Sequence, residues 1–141
     1  MPFVSITRLR LKSIIYLFSF FRSNDASVKT LKNSKGLIHA KENPDKNLIF
    51  WTLSMWDNEE SMRQFRNSNA HKNAMKQISK WCNEASYHHW VQDENSLPNW
   101  QSASKKLFEQ GTLTKLKNPS KSQSSNQFPP IKRTKFERIL K

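Results

Sequence analysis

A chain of 141 residues has room for one domain plus a tail, not two domains. Two glycines exclude a glycine-rich phosphate loop, and a lone cysteine, Cys82, excludes an intrachain disulfide framework or a multi-cysteine zinc site. Net charge is +13, but residues 115–141 hold eight Lys/Arg against one acid, Glu137, so the basic balance describes a tail more than a nucleic-acid-binding domain.

Residues 3–11 are β-branched and alternating, which predicts a strand. Ser5, Thr7, Leu9 and Leu11 share one face of it; Val4, Ile6, Arg8 and Arg10 share the other. Residues 13–34 predict a helix, with Ser13 as N-cap and Gly36 as stop signal. Its apolar opening, Ile14 to Phe21, is far shorter than the ~20 residues that span a bilayer. No small-residue cleavage site follows, so we expect a buried helix start in a cytoplasmic chain whose Cys82 stays a thiol. A helix lying on a membrane surface is the competing expectation.

Residues 37–43 and 47–56 predict a hairpin turning at Asn43-Pro44-Asp45-Lys46. Asp57 with Glu60 resembles a capping box that opens a helical stretch over 58–82. Met62, Phe65, Ala74, Ile78, Trp81 and Cys82 carry its apolar stripe, and Asn67-Ser68-Asn69 predicts a kink or division. Residues 85–92 predict a fourth strand, and Pro98-Asn99 precedes a helix over 100–110 closed by Gly111.

The order is β-α-β-β-α-β, then a helix: an α+β, ferredoxin-like arrangement with a four-stranded antiparallel sheet. Both alternating sets of the third strand are largely apolar: Phe50, Thr52, Ser54, Trp56 and Ile49, Trp51, Leu53, Met55. One set packs on the helices; the other leaves a bare apolar face, which predicts a homodimer with sheets face to face. The domain is expected to span 1–117. Residues 118–141, rich in Ser, Asn, Gln, Lys and Pro, are expected to be a disordered basic tail.

The run from Phe50 through Trp56, Asp57, Glu60 and Phe65 to Ser68-Asn69-Ala70-His71 resembles the strand, Trp, acidic turn, helix, Ser-x-x-His signature of dimeric α+β barrels. That superfamily holds antibiotic-biosynthesis-monooxygenase-like and haem-degrading monooxygenase-like proteins. The opening Pro-Phe-Val-Ser-Ile-Thr-Arg-Leu-Arg-Leu, Trp81-Cys82-Asn83-Glu84-Ala85-Ser86 and Leu97-Pro98-Asn99-Trp100 are similar to a bacterial set of small uncharacterised proteins labelled as monooxygenases. The likeness covers residues 2–120. Haem-degrading members carry an Asn, a Trp and a His at positions that hold Thr7, Phe65 and Met75 here, which argues against haem degradation. His71, one turn before Met75, is the one imidazole near that register.

What the resemblance implies is a monooxygenase-like protein that needs neither metal nor flavin. In such chemistry the deprotonated organic substrate is itself the reductant, so the protein supplies a base and hydrogen bonds that orient a ring. The candidate bases are His71, Tyr87 and His88 or His89, which as strand neighbours point to opposite faces and cannot together hold a metal. Trp51, Trp56, Phe65, Thr7 and Trp90 are the candidate substrate-binding residues, with Thr52 and Ser54 as further hydroxyl donors. Packing is the competing role for each aromatic residue. Arg8 and Arg10 share a strand face and with Lys12 are candidates to meet an anionic ligand, solvation or ion pairing being the favoured role.

No cofactor and no metal is expected. The expected partners are a second copy of the chain, a small aromatic or polyketide-like ligand, and weak non-specific polyanion contact through the tail. Two other readings stay open: a non-catalytic ligand-binding or regulatory dimer, and a basic accessory protein on nucleic acid or membrane.

Overall fold

A computed structural model describes all 141 residues. Strand β1 (Phe3–Leu11) is followed by a 3-10 turn at Ile14–Tyr16 and helix α1 (Leu17–Lys32). Strands β2 (Leu37–Pro44) and β3 (Ile49–Trp56) form the hairpin, then come α2 (Glu59–Arg66), α3 (Asn69–Trp81) and β4 (Cys82–Val91). Helix α4 (Trp100–Gln110), β5 (Thr112–Leu113), α5 (Lys121–Ser125) and β6 (Arg138–Ile139) complete the chain. No helix is long and apolar enough to cross a membrane.

The core of the expected fold is present: an antiparallel sheet with β1 at its centre, paired to β3 and β4. The sheet has six strands, however, in the order β5-β4-β1-β3-β2-β6. The two additions are two-residue edge strands, too short to carry a periodic signal.

Local chemistry explains the boundaries. Helix α2 begins at Asn58, whose side chain accepts from Ser61 N, rather than at Asp57 as the capping-box pattern predicts. Asp57 is engaged earlier, its backbone N–H donating to Gly36 O. The predicted division falls at Asn67-Ser68, where Ser68 caps α3. The hairpin reverses later than expected. Pro44 still pairs with Phe50, and the chain turns through Asn47 and Leu48, both at φ 62°.

Three expectations are overturned. The helix start is not buried: Ile14, Ile15 and Phe18 are 70–77% exposed, and α1 packs on the sheet through Phe20, Val28 and Leu31 instead. The tail is ordered. Gln123, the buried residue of α5, donates to Ala85 O and Thr114 O and accepts from Ala85 N, so one amide ties α5 to the backbone of β4 and of the segment after β5. Leu140 is buried against Ala40 and Leu37, and Arg138 forms an ion pair with Glu42. The composition of the segment argues for disorder, but a few spaced anchors suffice because the domain already presents matching partners.

The third correction concerns the bare face. Val4, Ile6, Trp51, Leu53 and Met55 are at most 1% exposed, because α4 lays Trp100, Ala103 and Leu107 across them. Leu97, Phe108 and Ile131 extend that cover. The apolar slab therefore sheds water against its own C-terminal layer, and the physical reason for a face-to-face sheet dimer is removed.

Candidate functional site

The other face of the sheet is hollow. Between it and α1, α2 and α3 lies a cavity of about 650 Å³. That volume is within the range of small-molecule sites.

Its floor is a small grid set by strand register. Ser5 on β1 stands between Ser54 on β3 and His89 on β4; one row on, Thr7 stands between Thr52 and Tyr87. Alternation places all six on the same face, and all six line the cavity. Four hydroxyls, one imidazole and one phenol thus share one patch. Part of its polarity is committed already: Trp56 Nε1 donates to Ser54 Oγ at 2.9 Å.

The walls are mainly apolar, with Ser23, Asn24 and Ser27 of α1 as polar breaks. Phe20, Val28 and Leu31 come from α1, and Met75 and Ile78 from α3. Trp56 and Phe65 stack at one end, ring centroids 5.7 Å apart.

His71 stands beside them, 4.8 Å from the Phe65 ring. Its backbone N–H is part of the Ser68 cap, which fixes where the side chain leaves α3. Its Nδ1 lies 3.2 Å from Arg66 O, so it donates there and Nε2 is left as the lone-pair nitrogen. Burial pushes the His71 pKa below its ordinary value, against the opposing pull of the Arg66 carbonyl. The ring is neutral at pH 7. Arg66, Lys72 and Lys76 add positive charge around the cavity, and no carboxylate lines it.

The structure brings together His71, Tyr87, Trp56, Phe65 and Thr7, and Thr52 and Ser54 with them. It does not bring His88, Trp51 or Trp90 to the cavity. These three point to the second face, where His88 stacks on Trp90 at 5.6 Å and Trp51 donates through Nε1 to Asp45. Burial, then the neighbouring His89, lowers the His88 pKa. His89 is the strand histidine that reaches the cavity. Ser5 is the floor residue that sequence reasoning did not place in the site, and the choice between His88 and His89, open in the sequence, is decided by the β1–β4 register. The three positions that bear on haem degradation, Thr7, Phe65 and Met75, all line the cavity with no imidazole among them. Cys82 is buried and its thiol pKa is pushed up to about 12, so it is an inert core residue.

Solved structures share this ferredoxin-like α+β fold, antibiotic biosynthesis monooxygenases among them. A point mutant of SnoaB, a cofactor-independent oxygenase from Streptomyces nogalater, superposes with a TM-score of 0.56 at 8% identity, over 70% of this chain and 98% of its own. Rv0793 from Mycobacterium tuberculosis gives 0.59 at 13%, over 68% and 100%. A dimeric ferredoxin-like protein of unknown function from Thermobifida fusca gives 0.55 at 15%, over 65% and 92%. These similarities define the fold. Among curated proteins nothing matches. Residues 21–125 match DUF3291, a domain of unknown function, and the chain belongs to that family.

Proposed function

We propose that the helix-side cavity binds a small, flat aromatic or polyketide-like molecule with a weakly acidic group, and that the protein oxidises it with dioxygen without metal or flavin. The observation that carries this reading is the pairing of an apolar, Trp56/Phe65-walled cavity with a neutral imidazole, His71, whose Nδ1 is already committed. His71 Nε2 takes the proton. Arg66, Lys72 and Lys76 favour the resulting anion, and the hydroxyls of Thr7 and Thr52 orient it. The anion then reduces dioxygen: a ring CH2 and O2 become C=O and water, one oxygen atom going to each product. SnoaB, similar in fold, is a cofactor-independent oxygenase, which supports the reaction class.

A screen by native mass spectrometry for co-purifying small molecules, followed by oxygen uptake with a phenolic probe, tests the reading. Wild type should retain a ligand and consume oxygen, and His71→Ala should lose uptake at least a hundredfold. Retained ligand with no uptake in either protein favours the non-catalytic binder, which needs only the same cavity.

The proposal includes a homodimer, by a different surface from the one expected. Ile14, Ile15 and Phe18 leave an apolar patch in water that a second copy would cover. Phe18→Asp should convert a dimer to a monomer in sedimentation; a wild-type monomer removes this part of the reading.

A further inference from the structure

We propose that the second face of the sheet holds a buried site for a small oxyanion, a carboxylate or phosphate group, built on Arg8 and separate from the helix-side cavity.

Arg8 is 1% exposed and lies among apolar surroundings, its guanidinium carbon 4.6 Å from the Phe128 ring and 5.7 Å from that of Trp51. Nη1 donates to Glu84 Oε1 at 2.7 Å. Nε and Nη2 have no partner, although both are buried. Those two N–H groups lie along one edge of the guanidinium plane, the side-on fork that accepts a carboxylate or phosphate through two parallel hydrogen bonds. A charged fork closed in by protein without an acceptor is costly, and native interiors seldom leave one.

The neighbours extend the same argument. Ser86 stands directly opposite Arg8 across the β1–β4 ladder, and its hydroxyl is also buried and unpartnered. Three buried polar atoms without partners therefore belong to two residues that face each other across the ladder, and all three can donate.

The nearby carboxylates are committed elsewhere. Glu84 is shared between Arg8 and Arg10, through Oε1 and Oε2, and also accepts from Ser120. Asp45 acts on Arg8 through space, but its oxygens accept from Trp51 Nε1 and the backbone N–H groups of Lys46 and Lys132. Neither carboxylate reaches the Nε/Nη2 edge, which lacks an acceptor. Phe128, stacked on Phe108, roofs it.

The test uses the full chain. Sodium phosphate and sodium acetate are titrated at constant ionic strength against chloride, with thermal melting and the Arg8 Nε–H signal in 15N NMR as readouts, that signal assigned through its contacts with Phe128. Wild type should show a saturable rise in Tm and a saturable shift of the Nε–H signal with at least one anion. Response to acetate alone identifies a monocarboxylate; response to phosphate identifies a phosphate or general oxyanion site. Arg8→Lys keeps the charge but loses the fork, and should bind at least tenfold more weakly; Ser86→Ala should weaken binding about threefold. An unmoved Nε–H signal with both anions overturns the proposal, whatever the variants do. Equal affinity in wild type and Arg8→Lys means an adventitious ion only, and overturns it too.

Discussion

The two faces of one sheet are built from adjacent residues yet differ in kind. On β3, Trp51 is 1% exposed and locked under α4 with its indole N–H on Asp45, while its neighbour Thr52 borders open space beneath the helices. The second face is solid and carries an ion cluster at its centre. The helix-side face is hollow and carries hydroxyls. Room for an organic ligand is thereby confined to one side: large side chains interlock on the second face, and small polar ones leave space beneath the helices.

The largest effect should come from removing what covers the solid face. Deleting residues 118–141 takes away Phe128, Ile131 and Leu140 together with the Gln123 hydrogen bonds. At about 1.5–3 kcal/mol for a fully buried large side chain, Leu140 in full, Phe128 and Ile131 in part and the lost hydrogen bonds should together reach about 5 kcal/mol in chemical denaturation. An unchanged melting curve would mean that the tail does not pack.

Adjacent substitutions sharpen the contrast. Trp51→Ala should cost about 3–5 kcal/mol, and Thr52→Val no more than about 0.5 kcal/mol, in urea melts of the two variants. Similar values for both would erase the distinction between packed and hollow.

Glu84→Gln leaves Arg8 buried beside a neutral partner and should cost about 3 kcal/mol. The same pair sets an acid limit. Burial raises the Glu84 pKa, but Arg8, Ser120 and Arg10 together outweigh it and hold the group below the usual carboxylate range. Its stabilisation is therefore complete above about pH 4.3 and is lost as pH falls through the lower folded value. Acid titration of wild type should show that loss, and Glu84→Gln should not.

The smallest effect belongs to the hollow face. His71→Ala should change stability by less than about 1 kcal/mol while removing activity. Because burial lowers the His71 pKa, the unfolded chain binds the proton more readily. Below about pH 6.5 this group should thus reduce stability slightly as pH falls, a slope absent in the variant.

Much of the frame was legible in the chain itself. Alternation in Val4 to Leu11 and in Ile49 to Trp56 announced two strands with two apolar faces, and Asn67-Ser68 announced the break between α2 and α3. Helix α4 was delimited by Asn99 and Gly111, because a cap and a stop are local chemistry. What covers the second face was not legible, since nothing local says whether a partner or a distant segment will dock. The same limit applied to the site. Thr7, Tyr87 and His71 could be nominated by type, but only the β1–β4 register decides that His89 enters the cavity and His88 leaves it.

The most direct test of a hollow helix side and a solid second side is a titration of the five tryptophan indole N–H signals with 2-naphthol, followed by NMR. Trp56 and Trp81 line the cavity and should shift in a saturable way, while Trp51, Trp90 and Trp100 stay in place. Movement of Trp51 and Trp100 with Trp56 unmoved would contradict the account.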